Sequence, residues 1–337
     1  MLAAEKKLLA PPVVIGLNAV IISVTEQTPR VLTVKQTGHA RTAQPERVPT
    51  TVGIDLPDAL PFGPLELEHH QTLERGLRHW VERQTGLQLG YVEQLYTFGD
   101  RFRDPGAQEG GPRVISVAYL ALVREQRPAD TDAAQWRAWY KYFPWEDWRT
   151  GPLPIIAWTI QPALEAWVAK AQTPATARTR QERIEITFGL HGTPWDPERV
   201  LERYELLYEA SLVAEPHGGG GMNSPQSKEK RLGRPMALDH RRILATAVGR
   251  IRGKIKYRPV VFELLPPTFT LWQLQCLVEA LAGVRLHKQS FRRLVERSCL
   301  VERTAQYDTR TGGRPAERFR FRREVWREHA APGISFT

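Results

Sequence analysis

The chain has 337 residues, enough for two domains of ordinary size, and 42% of them are apolar, so it can bury cores and is not a disordered polymer. Its net charge of +10 is unevenly placed: residues 226–330 hold 24 Lys and Arg against 10 Asp and Glu, while the remainder is slightly acidic. A basic third joined to a near-neutral body points to a polyanion held by one end, with nucleic acid first and an anionic membrane surface second.

Two cysteines, Cys276 and Cys299, exclude a disulfide framework and read as small buried hydrophobes of a reducing compartment. No window approaches about 18 uncharged apolar residues, and Pro11 and Pro12 break the N-terminal apolar stretch. Neither a spanning helix nor a signal peptide is expected, and the protein should be cytoplasmic.

Residues 13–24 are apolar and β-branched, and 30–36 alternate in strand fashion; turn chemistry at 26–29 makes them a hairpin. From 66 to 86 the pattern is helical, with Leu73, Leu77, Trp80 and Val81 at three- and four-residue steps and Gly86 at the end. Strand-like runs at 91–98 and 113–123 flank a charged, glycine-containing loop, which gives an α/β body. Tyr140, Tyr142, Phe143, Trp145 and Trp148 read as a hydrophobic cluster pinning a loop rather than as a stacking platform for bases. Residues 183–188 read as a strand. A helix follows from Asp196, its cap, and carries Val200, Leu201, Tyr204, Leu207, Tyr208 and Leu212 on one side. Residues 218–230 read as a linker. A long helix over 239–256 buries Ile243, Leu244, Ala247, Ile251 and Ile255 and keeps a basic outer face, either a solvated surface or a flank that tracks phosphates.

The C-terminal unit is the most legible. Thr270 caps a helix running to Leu281, with Leu271, Leu274, Leu277 and Val278 inward and Gly283 closing it; a second helix over 288–297 buries Phe291, Leu294 and Val295. Two strands, 301–306 and 318–322, then enclose a basic hairpin, so the unit is a winged helix-turn-helix. On the second helix Lys288, Gln289, Ser290, Arg292 and Arg293 face outward, where Arg suits guanine and Gln suits adenine. Arg310 and Arg314 at the wing tip suit the backbone or a minor groove.

These residues carry a resemblance. The segment Tyr91-Val-Glu-Gln-Leu-Tyr-Thr-Phe-Gly-Asp100 with the strand after Arg113 looks like a Nudix fold of the ADP-ribose pyrophosphatase type. The stretch from Tyr257-Arg-Pro-Val-Val-Phe-Glu-Leu-Leu-Pro266 through Phe291-Arg-Arg293 and Gly313-Arg-Pro-Ala316 resembles the DNA-binding domain of Nudix-related transcriptional regulators of the NrtR family, and the length looks most like the NadQ branch. The resemblance implies an α/β/α sandwich over 1–256 with an insertion at about 151–234, followed by a winged helix over 257–330. It also implies control of NAD biosynthesis or salvage genes by a homodimer that reads an inverted repeat and releases DNA when its body binds a metabolite. NAD, ADP-ribose, ATP or nicotinic acid are the expected effectors; Lys35, Arg41, Phe98, Arg101, Arg103 and Asp104 are the candidate residues around the effector cavity.

The resembled enzymes place carboxylates for divalent cations on one helix. Anchored on Thr85-Gly86, those positions here hold His79 and Trp80, then Arg83 and Gln84; Glu82 and Glu74 fall off the required positions. No Mg²⁺-dependent pyrophosphatase activity and no catalytic residue are expected, and no cofactor is required. His69, His70 and His79 read as surface histidines rather than metal ligands. A nucleoside-diphosphate hydrolase tethered to nucleic acid is the rival reading, and an RNA-binding adaptor a third.

Overall fold

The computed structural model describes residues 12–35, 57–100, 111–126, 128, 133–213, 232–309 and 315–324. A seven-stranded mixed sheet organises the body. Its central strand β1 (Val13–Thr25) runs parallel to β6 (Arg113–Leu122) and antiparallel to β2 (Thr28–Lys35), with β5 (Val92–Phe98) on the far side of β6. Short strands β3 (Asp58–Ala59) and β7 (Ala134–Ala138) pair with β2, and β4 (Phe62–Pro64) pairs with β1. The β1–β2 hairpin forms where the sequence predicts it. Glu26 and Gln27 both take left-handed backbone angles, the geometry a two-residue hairpin requires for its twist to match the strands.

β1 is apolar almost throughout because the sheet is covered on both faces. Leu17, Ala19 and Ile21 meet Leu77 and Val81 of α1 (Leu73–Thr85) on one face. Val20, Ile22, Leu95, Phe98, Ala118 and Leu120 meet Trp139, Tyr142, Phe143 and the later helices on the other. This is the expected α/β/α sandwich. Helix α1 starts seven residues later than the apolar periodicity suggests, because Thr72 accepts from the Arg75 amide and caps it there; Gly86, in the left-handed region, closes it. His70 is a correction: it is buried, with Nδ1 accepting from the Glu66 amide at 3.1 Å, and is no surface histidine.

The aromatic segment does pin a loop. Trp139, Tyr142, Phe143 and Trp145 are fully buried, so they offer no stacking platform. After it come α2 (Gln161–Ala169, preceded by a π-helical turn), α3 (Pro174–Phe188) and α4 (Val200–Glu209). The strand expected at 183–188 is the last part of α3. Ile184, Ile186 and Phe188 alternate in the sequence, yet Thr173 caps a helix with Pro174 in its first turn, and Ile184, Thr187 and Phe188 form its inner face while Ile186 is exposed. Likewise Asp196 caps only a turn, accepting from the Glu198 amide, and α4 begins at Val200. The linker expected at 218–230 lies outside the described residues.

Helix α5 (His240–Ile255) leads into the C-terminal unit, which contains α6 (Leu271–Ala282), α7 (Lys288–Arg297) and a three-stranded sheet ordered β8 (Phe269–Thr270), β10 (Ala316–Phe321), β9 (Val301–Asp308). Thr270 and Gln273 form a reciprocal capping box, and Gly283 ends α6 in the left-handed region. Phe269, Leu274, Leu277, Val278, Leu281 and Phe291 belong to the same buried cluster as Val20, Ile22 and Trp139. The winged helix therefore shares the core of the body. Cys276 is buried as expected, whereas Cys299 is exposed in the turn after α7. No helix among the described residues is long and apolar enough to cross a membrane.

Candidate functional site

Helix α7 is built on two inward residues. Phe291 and Val295, four apart, are buried against α6, and every position around them except the half-buried Leu294 faces out over the first two turns. Lys288 and Arg292 stand one turn apart, as do Gln289 and Arg293, so these four form a single outward stripe. All five expected α7 contact residues are exposed, including Ser290, whose hydroxyl lies 3.3 Å from His287 Nδ1. Among the described residues, the Lys288, Gln289, Arg292 and Arg293 side chains carry no hydrogen bond or ion pair. The wing strands differ, since Arg303 pairs with Glu317, Arg318 with Asp308 and Arg320 with Glu302. Arg310 and Arg314 at the wing tip lie outside the described residues.

The turn that sets the angle of α7 is tied down from within. Buried Glu279 accepts from the Leu286 amide at 3.0 Å and from Gln275 at 2.9 Å, and pairs with Arg285 at 2.8 Å. Gln275 also donates to the Leu286 carbonyl.

The basic outer face expected on α5 is largely absent. Arg241 and Arg252 are fully buried; Arg242 pairs with Asp100 and Glu205, Lys254 with Glu93 and Lys256 with Glu198. These charges hold the body together and make no phosphate-tracking flank. The signal was present in the sequence, because Arg241, Leu244, Val248, Arg252 and Ile255 fall at steps of three and four on the apolar face.

On α1, Trp80 and Gln84, at positions that the resemblance would give to cation-binding carboxylates, contact the backbone of β4. The Trp80 indole lies over Gly63 of β4, where any Cβ would collide with the ring, and its Nε1 donates to the Pro64 carbonyl at 2.8 Å. Gln84 exchanges two hydrogen bonds with the Phe62 backbone, at 3.0 and 2.8 Å. Arg83 stacks on Trp80, 5.2 Å from the ring centre. Among the described residues no group of three or more His, Cys, Asp or Glu is arranged to hold a metal ion.

A cavity of about 460 Å³ opens on the other face of the sheet, between the end of β5, α4 and α5. Tyr96, Phe98, Asp100, Glu205 and Arg242 are among its lining residues. Arg242 clasps both carboxylates, donating to Asp100 at 2.8 Å and to Glu205 at 2.9 Å. Burial pushes the Glu205 carboxyl above its usual range, against the pull of Arg242. Of the expected effector residues Phe98 lines this cavity, as a largely buried wall rather than as part of a rim loop. Lys35 is exposed at the end of β2, with β1 and β6 between it and β5, so the two do not meet. Arg41, Arg101, Arg103 and Asp104 lie outside the described residues.

Comparison with known proteins agrees with this arrangement. Residues 261–321 match the family model of the NrtR DNA-binding winged helix domain. Over 93 residues the chain is 39% identical to the ADPR responsive transcriptional repressor NtrR of Acinetobacter baylyi, a match that spans 28% of this chain and 37% of that relative. Across 92% of this chain and 94% of the other, the fold follows that of Shewanella oneidensis NrtR complexed with a 27mer DNA, at 20% identity and a TM-score of 0.52. A second structure of Shewanella oneidensis NrtR gives 19% identity and the same TM-score over 94% and 96% of the two chains. Residues 261–321 of this chain thus match the NrtR DNA-binding winged helix domain, and the chain as a whole shares the fold of Shewanella oneidensis NrtR.

Proposed function

We propose that the protein is a DNA-binding transcriptional repressor whose Nudix-like body senses an NAD-related metabolite and, when filled, releases the operator. The observation that carries this reading is the exposed stripe Lys288, Gln289, Arg292, Arg293, without a hydrogen bond or ion pair among the described residues, on the second helix of a winged helix-turn-helix. A helix held by two buried residues and free of internal ion pairs has its donors available to base edges and phosphates. The direct test is binding to duplex fragments from upstream of NAD biosynthesis and salvage genes. Affinity should fall steeply with salt, by a slope near −0.9 per phosphate contact, and the double variant R292A/R293A should lose binding and flatten that slope. A folded double variant that binds normally would refute the assignment of α7.

The effector is of the ADP-ribose type in this reading, supported by a relative named as ADPR responsive. The cavity at β5, α4 and α5 is the favoured site, with Phe98 as a wall and Arg242 as the group that exchanges its carboxylate partners for the ligand. Occupation must favour the arrangement that does not bind DNA, since a ligand with equal affinity for both arrangements shifts nothing. ADP-ribose, NAD, ATP and nicotinic acid are compared by thermal shift with and without duplex; an effector of this mechanism stabilises the free protein more than the complex.

The body is not a pyrophosphatase in this reading. Trp80 and Gln84 stand where cation-binding carboxylates would be needed, and both are spent on the backbone of β4. Turnover of ADP-ribose with Mg²⁺ or Mn²⁺ at ordinary enzyme rates would overturn that view. The protein works as a homodimer on an inverted repeat, because half-sites about one helical turn apart call for two-fold symmetry.

A further inference from the structure

The helical segment between the aromatic loop and α5 contributes one edge of the cavity, through Leu201 and Glu205, and nothing to the outward stripe of α7. Its chemistry lies at its base, where a single buried carboxylate joins three parts of the chain. Glu146 accepts from Arg203 of α4 through both oxygens, at 2.5 and 3.0 Å, and from Arg252 of α5 at 2.5 Å. All three side chains are essentially inaccessible to water. Arg203 also donates to the carbonyls of Thr187 and Asp196, so it gathers the end of α3 and the turn before α4. Its guanidinium lies 3.8 Å from the Trp195 ring centre, and Trp195 in turn packs on Trp148.

From this clamp the contacts run straight into the helix-turn-helix. Arg252 donates to the Leu281 carbonyl in the last turn of α6 and to the Glu146 carbonyl. The Trp148 amide donates to the Gly283 carbonyl at 2.7 Å, and Tyr140 donates to the Ala280 carbonyl at 2.8 Å. Gly283 sits against the Glu146 backbone so closely that no side chain fits there. Those bonds satisfy carbonyls at the C-terminal end of α6 that a helix leaves without partners of its own. In a helix-turn-helix, that end and the turn after it set the direction of the recognition helix.

We propose that residues 148–213 are a strut that braces the seam between the winged helix and the body, and that Glu146, just before it, is the positioning residue on which it acts, holding α4 and α5 together against the α6–α7 turn. This rests on the reading of α7 as the DNA-recognition helix. It gives the described part of the insertion, residues 151–213, a function, namely bracing the orientation of α7 relative to the body, and it runs from the same two helices, α4 and α5, that wall the cavity.

The test measures orientation and DNA binding separately. One spin label goes on Cys299, which is exposed beyond α7, and a second on the body through Gln88→Cys; Cys276 is buried. Protein with the native seam should give narrow peaks in the distance distribution by pulsed electron resonance, one of them from the label pair within a protomer and the rest from pairs between protomers of the proposed homodimer. Arg203→Gln removes the insertion's hold and leaves a one-to-one Glu146–Arg252 pair; Tyr140→Phe removes one bond across the seam and no charge. Thermal melting shows which variants fold, and Tyr140→Phe serves if Arg203→Gln does not. Each folded variant should broaden the distribution and weaken duplex binding, for Arg203→Gln by about tenfold if about a tenth of the molecules keep the competent orientation. A folded variant with unchanged distances, or with broadened distances and wild-type affinity, overturns the proposal. Failure of wild-type protein to bind any duplex instead removes the DNA reading, while the distance measurement still decides whether the strut exists.

Discussion

Single residues set how tightly the body packs. Trp80 and Gly63 fit each other as indole and bare backbone, so Gly63→Ala must push the ring aside, at a cost of about 1–3 kcal/mol for overpacking. Thermal melting should show that loss, and it should shrink in the Gly63→Ala, Trp80→Ala double variant, since neighbours in contact are not additive. The two cysteines make a second prediction. Burial pushes the Cys276 thiol up to about 11, which keeps it protonated at neutral pH, whereas Cys299 is exposed. Thiol titration of native protein at pH 8 should therefore find one fast group, and denatured protein two; the slow group should speed up only as pH approaches 11. Exposure of Cys299 was not legible, since the residue ends a helix at a left-handed backbone position that nothing in its neighbours announces.

At the scale of elements, those with strong local signals follow the sequence closely. Helix α6 has its cap box and left-handed glycine, and α7 occupies the residues its periodicity marks. Thr270→Ala should cost about 1 kcal/mol, the usual worth of an N-cap, read as a lower melting temperature. Gly283→Ala should cost more: the left-handed backbone alone costs a side chain about 1–2 kcal/mol, and the packing against Glu146 adds to it. Elements with two valid patterns went astray. Residues 183–188 alternate like a strand, and only the cap at Thr173, ten residues upstream, makes them a helix. β8 is two residues long and exists because β10 lies beside it, so no local pattern could reveal it.

For the whole molecule, the decisive feature is that the basic third is not one surface. Its charges include a stripe on α7 without ion pairs among the described residues, a set on α5 that is buried or paired with acids from β5, the loop after it, α4 and the turn before α4, and wing arginines paired with acids of their own sheet. Glu146 holds two of the guanidinium groups of the interior. Glu146→Gln should therefore destabilise the protein by about 3–5 kcal/mol, as breaking a buried ion pair from one side does. Denaturant unfolding gives the number; a loss below about 1 kcal/mol would mean that water reaches the cluster.

The sequence by itself determined the body's hairpin, its first helix, the winged helix and the outward stripe of α7, because each rests on periodicity, caps or turn residues close along the chain. The apolar spacing of α5 places Arg241 and Arg252 inward, but only the tertiary structure supplied the acceptors that make them and Arg203 tolerable there, at partners as far as 106 residues away. The same holds for the seam between the body and the winged helix. A buried guanidinium is tolerated only where the fold supplies its acceptors, and those positions exist only once the chain has closed.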